Sequence, residues 1–299
     1  MRKTTKCFLC LASVALLSSC SNENNEFISN VGTGIPMELS AQLLPPQSRA
    51  TADNVWNGGE LISVSDATKT VTYKVIDANG TLQLQDAANP LYWASALEPQ
   101  TVYAWCPATT DNAEYAEWSV EQDQSVEGAL QQSDLLYAST EVALQGNKIL
   151  QFKHATAKII VNLQGDGTNE EDLQNAVITI QNALLSATVS RGGLLTAMQT
   201  DTKVITPQFI QNAGDYLLSC QALLVPQQIE NKILIKIEAG GKEYTYTPKS
   251  GDATFEGGMK YIYNVTVGKP GISVVVEKAS SQWESDGDKE EIDFEEPVV

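Results

Sequence analysis

The sequence predicts an all-β protein, two β-sandwich domains in tandem behind an export signal. Three observations lead there. Short runs rich in Val, Ile, Thr, Tyr and Trp are separated by Gly, Asn, Asp and Pro along most of the 299 residues, as short strands joined by turns require. Several runs alternate apolar and polar residues with a period of two, which buries one face of a strand. After the leader, enough chain remains for two domains of about one hundred residues each.

The leader comes first. Met1, Arg2, Lys3 and Lys6 make a basic start, and Phe8 to Leu17 is an apolar run too short to span a bilayer as a stable helix. Leu17-Ser18-Ser19 then leads into Cys20. The pattern resembles a bacterial lipoprotein signal. That implies loss of residues 1–19, acylation of Cys20 as the first mature residue, and a home in the outer-membrane lipid. Ser21 to Glu26 is polar and acidic, a solvated tether, and is similar to segments that route lipoproteins to the cell surface.

Residues 20–49 continue from tether to strand. Ile35, Met37, Leu39, Ala41 and Leu43 alternate with Pro36, Glu38, Ser40 and Gln42, which predicts a half-buried strand. The pattern breaks at Pro45-Pro46 and passes through a polar segment with one basic residue, Arg49. A strand held by a short linker containing one arginine is a strand that a protease could free.

The first domain is expected over residues 50–166. Leu61–Val64, Val71–Val75 and Thr81–Leu84 read as strands, with Asn79-Gly80 as a hairpin turn because both residues tolerate positive φ. Leu91–Trp93 and Thr101–Trp105 follow. Ala108 to Gln132 reads as a polar, acidic loop, and Lys148 to Leu163 as the strongest strand pair of this half. A break at Gly165 to Glu171, with a helical turn over Glu170 to Gln174, opens a second domain at 167–268. Its strands run from Ala176–Ile180 to Lys260–Val267. Residues 269–299 form a C-terminal segment: a strand pattern at Ile272–Val276, then an acidic tail carrying Ile292, Phe294 and Val298-Val299.

Charge and chemistry narrow the function. Losing Arg2, Lys3 and Lys6 takes the formal charge from −18 to −21, which disfavours nucleic acid as a partner. Cys7 and Cys10 leave with the leader, so Cys106 and Cys220 remain, both in apolar surroundings and without zinc-site spacing. His154 is the only histidine. It lies in a strand beside Phe152 without a GxSxG elbow or activated cysteine, and reads as a packed, hydrogen-bonded residue. Arg191-Gly192-Gly193 and Gly257-Gly258 read as turns. No cofactor, metal site or enzymatic activity is expected. Trp93, Trp105 and Trp118 keep open a sugar-binding platform, although aromatics in sandwiches more often fill cores.

Several segments in order carry a resemblance. Val55-Trp56-Asn57-Gly58-Gly59-Glu60-Leu61-Ile62-Ser63-Val64 resembles the opening motif of the fimbrillin-like proteins of Bacteroidales, with Glu60 where that family often has Asp. Pro90–Trp93, Gln124 with Ser133–Ala138, Leu150–Ile159, and Tyr261–Val267 with Trp283 beyond match in turn. The resemblance implies two transthyretin-like sandwiches and a type V pilus subunit used for adhesion. It implies a lipoprotein precursor cut by an Arg-specific protease at Arg49-Ala50, with Ile35 to Leu43 as the removable strand. It further implies polymerisation with other copies or related pilins by donor-strand exchange, the donor being Ile272–Val276 or Ile292–Val299. A non-polymerising surface lipoprotein that binds a glycan or host ligand is the other reading.

Overall fold

The structure, a computed structural model, describes residues 34–44, 54–110, 113–167, 170–211, 214–268, 271–279, 283 and 287–295. Cys20, Arg49 and Ala50 lie outside them. In chain order the first half carries β1 (Ser40–Leu43), β2 (Leu61–Ser65), β3 (Thr70–Val75), β4 (Leu82–Leu84), β5 (Gln100–Cys106), β6 (Glu117–Ser119), the short helix α1 (Ala129–Gln132), β7 (Leu136–Val142) and β8 (Ile149–His154). The second carries β9 (Ala157–Gly165), α2 (Glu170–Gln174), β10 (Val177–Ala183), β11 (Ser186–Val189), β12 (Leu195–Ala197), β13 (Lys203–Ile205), β14 (Gln208–Phe209) and β15 (Leu218–Leu224). It closes with β16 (Gln227–Gln228), β17 (Ile235–Ala239), β18 (Lys242–Tyr246), β19 (Thr254–Phe255), β20 (Lys260–Gly268), β21 (Gly271–Ala279) and β22 (Gly287–Glu295). The chain is all-β, in the sandwich class that the strand-and-turn pattern predicts.

One sheet forms the first body, in the order β1-β8-β7-β5-β2-β3-β4. Its strands place alternate side chains inward, as β8 shows by burying Leu150, Phe152 and His154 while Lys153 stays exposed. The sheet rolls around a core that includes Ile62, Val64, Tyr73, Trp93, Val102 and Phe152. The second body has a six-stranded sheet, β14-β15-β9-β20-β21-β22, and a four-stranded sheet, β13-β10-β17-β18. Both feed one core, with Ile159 and Val265 from the first sheet and Ile180 and Ile237 from the second.

β9 lies within the span 50–166, yet it pairs in parallel with β20 and antiparallel with β15 of the second half. The step from one core to the other falls between Phe152 and Ala155. Parallel partners lie far apart in sequence, so the sequence continuity of 148–163 hid the division. Ala108 to Gln132 is also more than a loop. It holds β6 and α1, and β6 pairs with β11 of the second half. Its anchors are Trp118, whose Nε1 donates to the Ser133 carbonyl at 3.2 Å, and the buried Gln124. Gln124 accepts from the Leu223 amide at 2.7 Å and donates to the Leu223 carbonyl at 2.8 Å. A side-chain amide thereby completes the backbone pairing of β15, where abundant surface acids had masked a few deep anchors.

Cys106 and Cys220 are both free and buried, one in each core. Burial pushes both thiols up, Cys220 to about 12 and Cys106 further still, where the Asp134 and Glu60 carboxylates add to the effect. Since the thiolate is the reactive form, neither should react with an aromatic disulfide reagent at pH 8 in the folded protein. Both should react on denaturation. In a chain that starts after Cys20, titration of even one thiol under native conditions would show that one of the cores opens readily.

Candidate functional site

The first strand is held on both sides. β1 runs parallel to β8, with Ser40 against Ile149 and Leu43 against Phe152. The Ser40 amide donates to the Lys148 carbonyl at 3.0 Å and the Leu44 amide to the Phe152 carbonyl at 2.9 Å. On its other flank the Ala41 amide donates to the Gly80 carbonyl at 2.8 Å, and Ser40 bridges Thr81 just before β4. β1 therefore joins the two ends of the rolled sheet. Upstream, the Met37 amide donates to the Leu91 carbonyl at 2.8 Å.

The flank at Gly80 is built by the turn that the sequence announces. The Asp77 Oδ1 atom accepts from the amides of Asn79 and Thr81, each at 3.0 Å, and Asp77 Oδ2 accepts from the Thr81 hydroxyl at 2.8 Å. These bonds favour the ionised carboxyl and hold Asp77 below its ordinary range, the Thr81 amide contributing most. Gly80 has φ +74°, a left-handed conformation open to glycine. It also lies so close to β1 that a side-chain carbon there would meet the Ala41 carbonyl oxygen at 1.8 Å.

Met37, Leu39, Ala41 and Leu43 are 4%, 7%, 2% and 5% exposed and point into the first core. Ile35 departs from the expected series. At 38% exposure it lies outside the core, where its carbonyl accepts from the Trp93 amide. Burial of the three larger side chains contributes roughly 5 to 9 kcal/mol by area, an upper figure. Tyr73 adds a phenol that donates to the Met37 carbonyl at 3.4 Å, and burial raises its pKa to about 12. A strand held this firmly stays in place when its covalent link is cut, unless another strand displaces it.

Beside the C-terminal end of β1 is a cavity of about 430 Å³, lined by residues that include Leu43, Trp56, Glu60, His154 and Trp283. The chain leaves β1 at Leu44 and is next described at Asn54, whose Oδ1 lies 3.1 Å from His154 Nε2. Leu43 and Val55, described on either side of residues 45–53, both line this cavity. His154 Nδ1 lies 3.0 Å from Asp134 Oδ2, and its ring stacks on Trp283 with centroids 3.5 Å apart. It is the packed, hydrogen-bonded histidine that the sequence suggests. Cys106 lines the same cavity, but its raised pKa is the reverse of what an activated thiol needs.

The remaining candidates fall elsewhere. Trp93, Trp105 and Trp118 are 1%, 0% and 7% exposed, so they fill the interior and do not make a sugar platform. Of the two donor segments, Ile272–Val276 lies in β21, paired with β20 on one side and β22 on the other, with Ile272, Val274 and Val276 buried. β22, which includes Ile292, is the edge strand of its sheet.

A family model described as fimbrillin-like matches residues 48–283. The chain belongs to the fimbrillin-like family. Among solved structures, it resembles a candidate cell adhesion protein from Bacteroides uniformis at 20% identity and a TM-score of 0.65, over 83% of this chain and 99% of that one. A candidate cell adhesion protein from Bacteroides ovatus matches at 16% identity and a TM-score of 0.61, over 84% of this chain and 98% of that one. At such identities these likenesses show the fold. Among curated proteins, none matches this chain at a significant level. In this fimbrillin-like chain the family match begins after β1 and stops before β22.

Proposed function

We propose that the chain is a structural subunit of a type V pilus that serves adhesion. In this reading it is exported as a lipoprotein acylated at Cys20 and held at the outer membrane. An Arg-specific protease cuts between Arg49 and Ala50, and assembly proceeds by strand exchange. The observation that carries the reading is β1 itself. It is the first strand among the described residues, it carries four buried same-face side chains, it closes the rolled sheet, and its onward covalent link is the segment with Arg49. Removing it would leave an apolar groove flanked by unpaired backbone groups of β8 and of Gly80-Thr81, a template for strand addition.

The non-polymerising reading, a surface lipoprotein that binds a glycan or host ligand, gains nothing from the buried tryptophans. The test is to treat the purified precursor with an Arg-specific protease and follow mass and size. The expected result is a cut after Arg49, with the residue 20–49 fragment retained until a competing strand is added. Arg49→Ala should abolish that cut and leave the full-length lipoprotein anchored. Normal fibres made by Arg49→Ala cells would sink the proposal.

A further inference from the structure

We propose that the strand that replaces β1 comes from a different chain and not from a second copy of this one. The inference rests on the reading that β1 is removable, and it concerns what fits the groove β1 leaves. Met37, Leu39, Ala41 and Leu43 write the requirement: four consecutive inward side chains, all apolar, the third small. The Ala41 position is filled by a methyl group on a residue 2% exposed, with the Gly80 backbone pressed against the strand there. A packed site of this kind accepts no added bulk and no unpaired charge without loss.

The stretch 287–299 fails this requirement. Residues 287–299 read GDKEEIDFEEPVV, and side chains of a strand alternate between faces. Every register that fills four same-face positions from this stretch places at least one Asp or Glu in the groove. The best one presents Ile292, Phe294, Glu296 and Val298. It matches Met37, Leu39 and Leu43 in kind and puts Glu296 where Ala41 belongs. The opposite face is worse, with Glu291, Asp293, Glu295 and Pro297, and proline gives no amide to the ladder. β21 has the apolar series Ile272, Val274 and Val276, but these already fill the second core and the strand is paired on both edges. Charge works the same way. Residues 284–296 hold eight acids against Lys289 alone, and the whole chain is at −18, so two copies repel. The partner is therefore a strand with four successive apolar residues on one face, small at the Ala41 position, on a chain less acidic than this one.

The test uses the full chain cut at Arg49 and separated from its 20–49 fragment under mild denaturant, then returned to native buffer with one of three labelled peptides: residues 35–44, residues 287–299, and residues 287–299 with E296A. The E296A peptide presents Ile, Phe, Ala and Val in the β1 pattern. The 35–44 peptide should re-enter the groove, the wild-type C-terminal peptide should bind at least about 100-fold more weakly, and E296A should recover most of the difference. Cut Glu296→Ala chains should also form oligomers that cut wild-type chains do not. Wild-type C-terminal peptide binding as tightly as 35–44, or ready self-assembly of cut wild-type chains, would overturn this inference while leaving the removable strand intact. A chain that resists the protease, or that does not take back the 35–44 peptide, would overturn the removable strand and this inference with it.

Discussion

Replacing Gly80 with valine is expected to drive β1 out of the first sheet. The new side-chain carbon would start 1.8 Å from the Ala41 carbonyl oxygen, 2.8 Å from the Ala41 carbonyl carbon and 3.1 Å from Trp56 Cδ1. Two of those atoms are β1 backbone, which cannot rotate aside as a side chain can. A β-branched residue at φ +74° adds backbone strain. Together, strain and overpacking cost about 2 to 6 kcal/mol, comparable with what β1 burial supplies. The least costly escape is detachment of β1. Gly59→Val is the control, because Gly59 has φ +109° but meets nothing within 4 Å. Gly59→Val should lower stability by strain alone and keep β1 in place. The measurement is hydrogen exchange at the Ala41 and Leu44 amides, bonded to Gly80 and Phe152. Exchange should rise at least about 100-fold in Gly80→Val and little in Gly59→Val. Equal protection of Ala41 in both variants would mean that Gly80 does not clamp the strand. If it does, the Gly80→Val precursor should also aggregate before any cleavage, and it should bind no free 35–44 peptide, whose Ala41 carbonyl meets the same valine.

Much of this site could be read from residues 35–80 alone, and the reasons are local. Period-two alternation from Met37 to Leu43 encodes a buried face directly, and Asn79-Gly80 encodes its turn through φ preferences. That these two features meet is a different kind of fact. Ala41 and Gly80 are partners across the closure of a rolled sheet, and closure depends on the order of all seven strands. The exposed Ile35 shows the limit of alternation, which gives parity without saying where a strand enters the core. His154 was legible as a packed residue, but its partners Asp134, Asn54 and Trp283 come from three distant parts of the chain. The split between Phe152 and Ala155 was hidden for the same reason. β9 resembles a continuation of β8 until its long-range partners β15 and β20 are known. The fate of Ile272–Val276 follows the same rule: its strand pattern was visible, and its burial in the chain's own core was not.

Trp283 ties the two bodies together, and Trp283→Ala should separate their unfolding. The residue is 3% exposed and belongs to the second core, yet its ring stacks on His154 at the end of β8 in the first sheet. The ammonium group of Lys158 stands 5.1 Å from the indole centre, and Lys260 Nζ donates to the Trp283 carbonyl at 2.8 Å. Lys158 and Lys260 are register partners on β9 and β20, 3% and 4% exposed. Two ammonium groups so placed are costly to bury unless their surroundings favour charge. The indole face offers such an environment to Lys158. Its removal takes away the stack, the cation–π contact and a large apolar volume at once, a loss of about 3 to 5 kcal/mol. The positive φ of Trp283, +65°, is held by the same packing, so the segment should relax when the ring is gone. Since the His154 stack is one contact across the bodies, beside Arg191 over the Tyr103 ring, part of the loss falls on their coupling as well as on the second core. Calorimetry of the wild type should give one cooperative transition, and Trp283→Ala should give two, with the second body melting first. Trp283→Phe keeps a ring against His154 and should restore a single transition. Trp283→Ala unfolding in one transition within a degree of wild type would show that the bodies are coupled elsewhere.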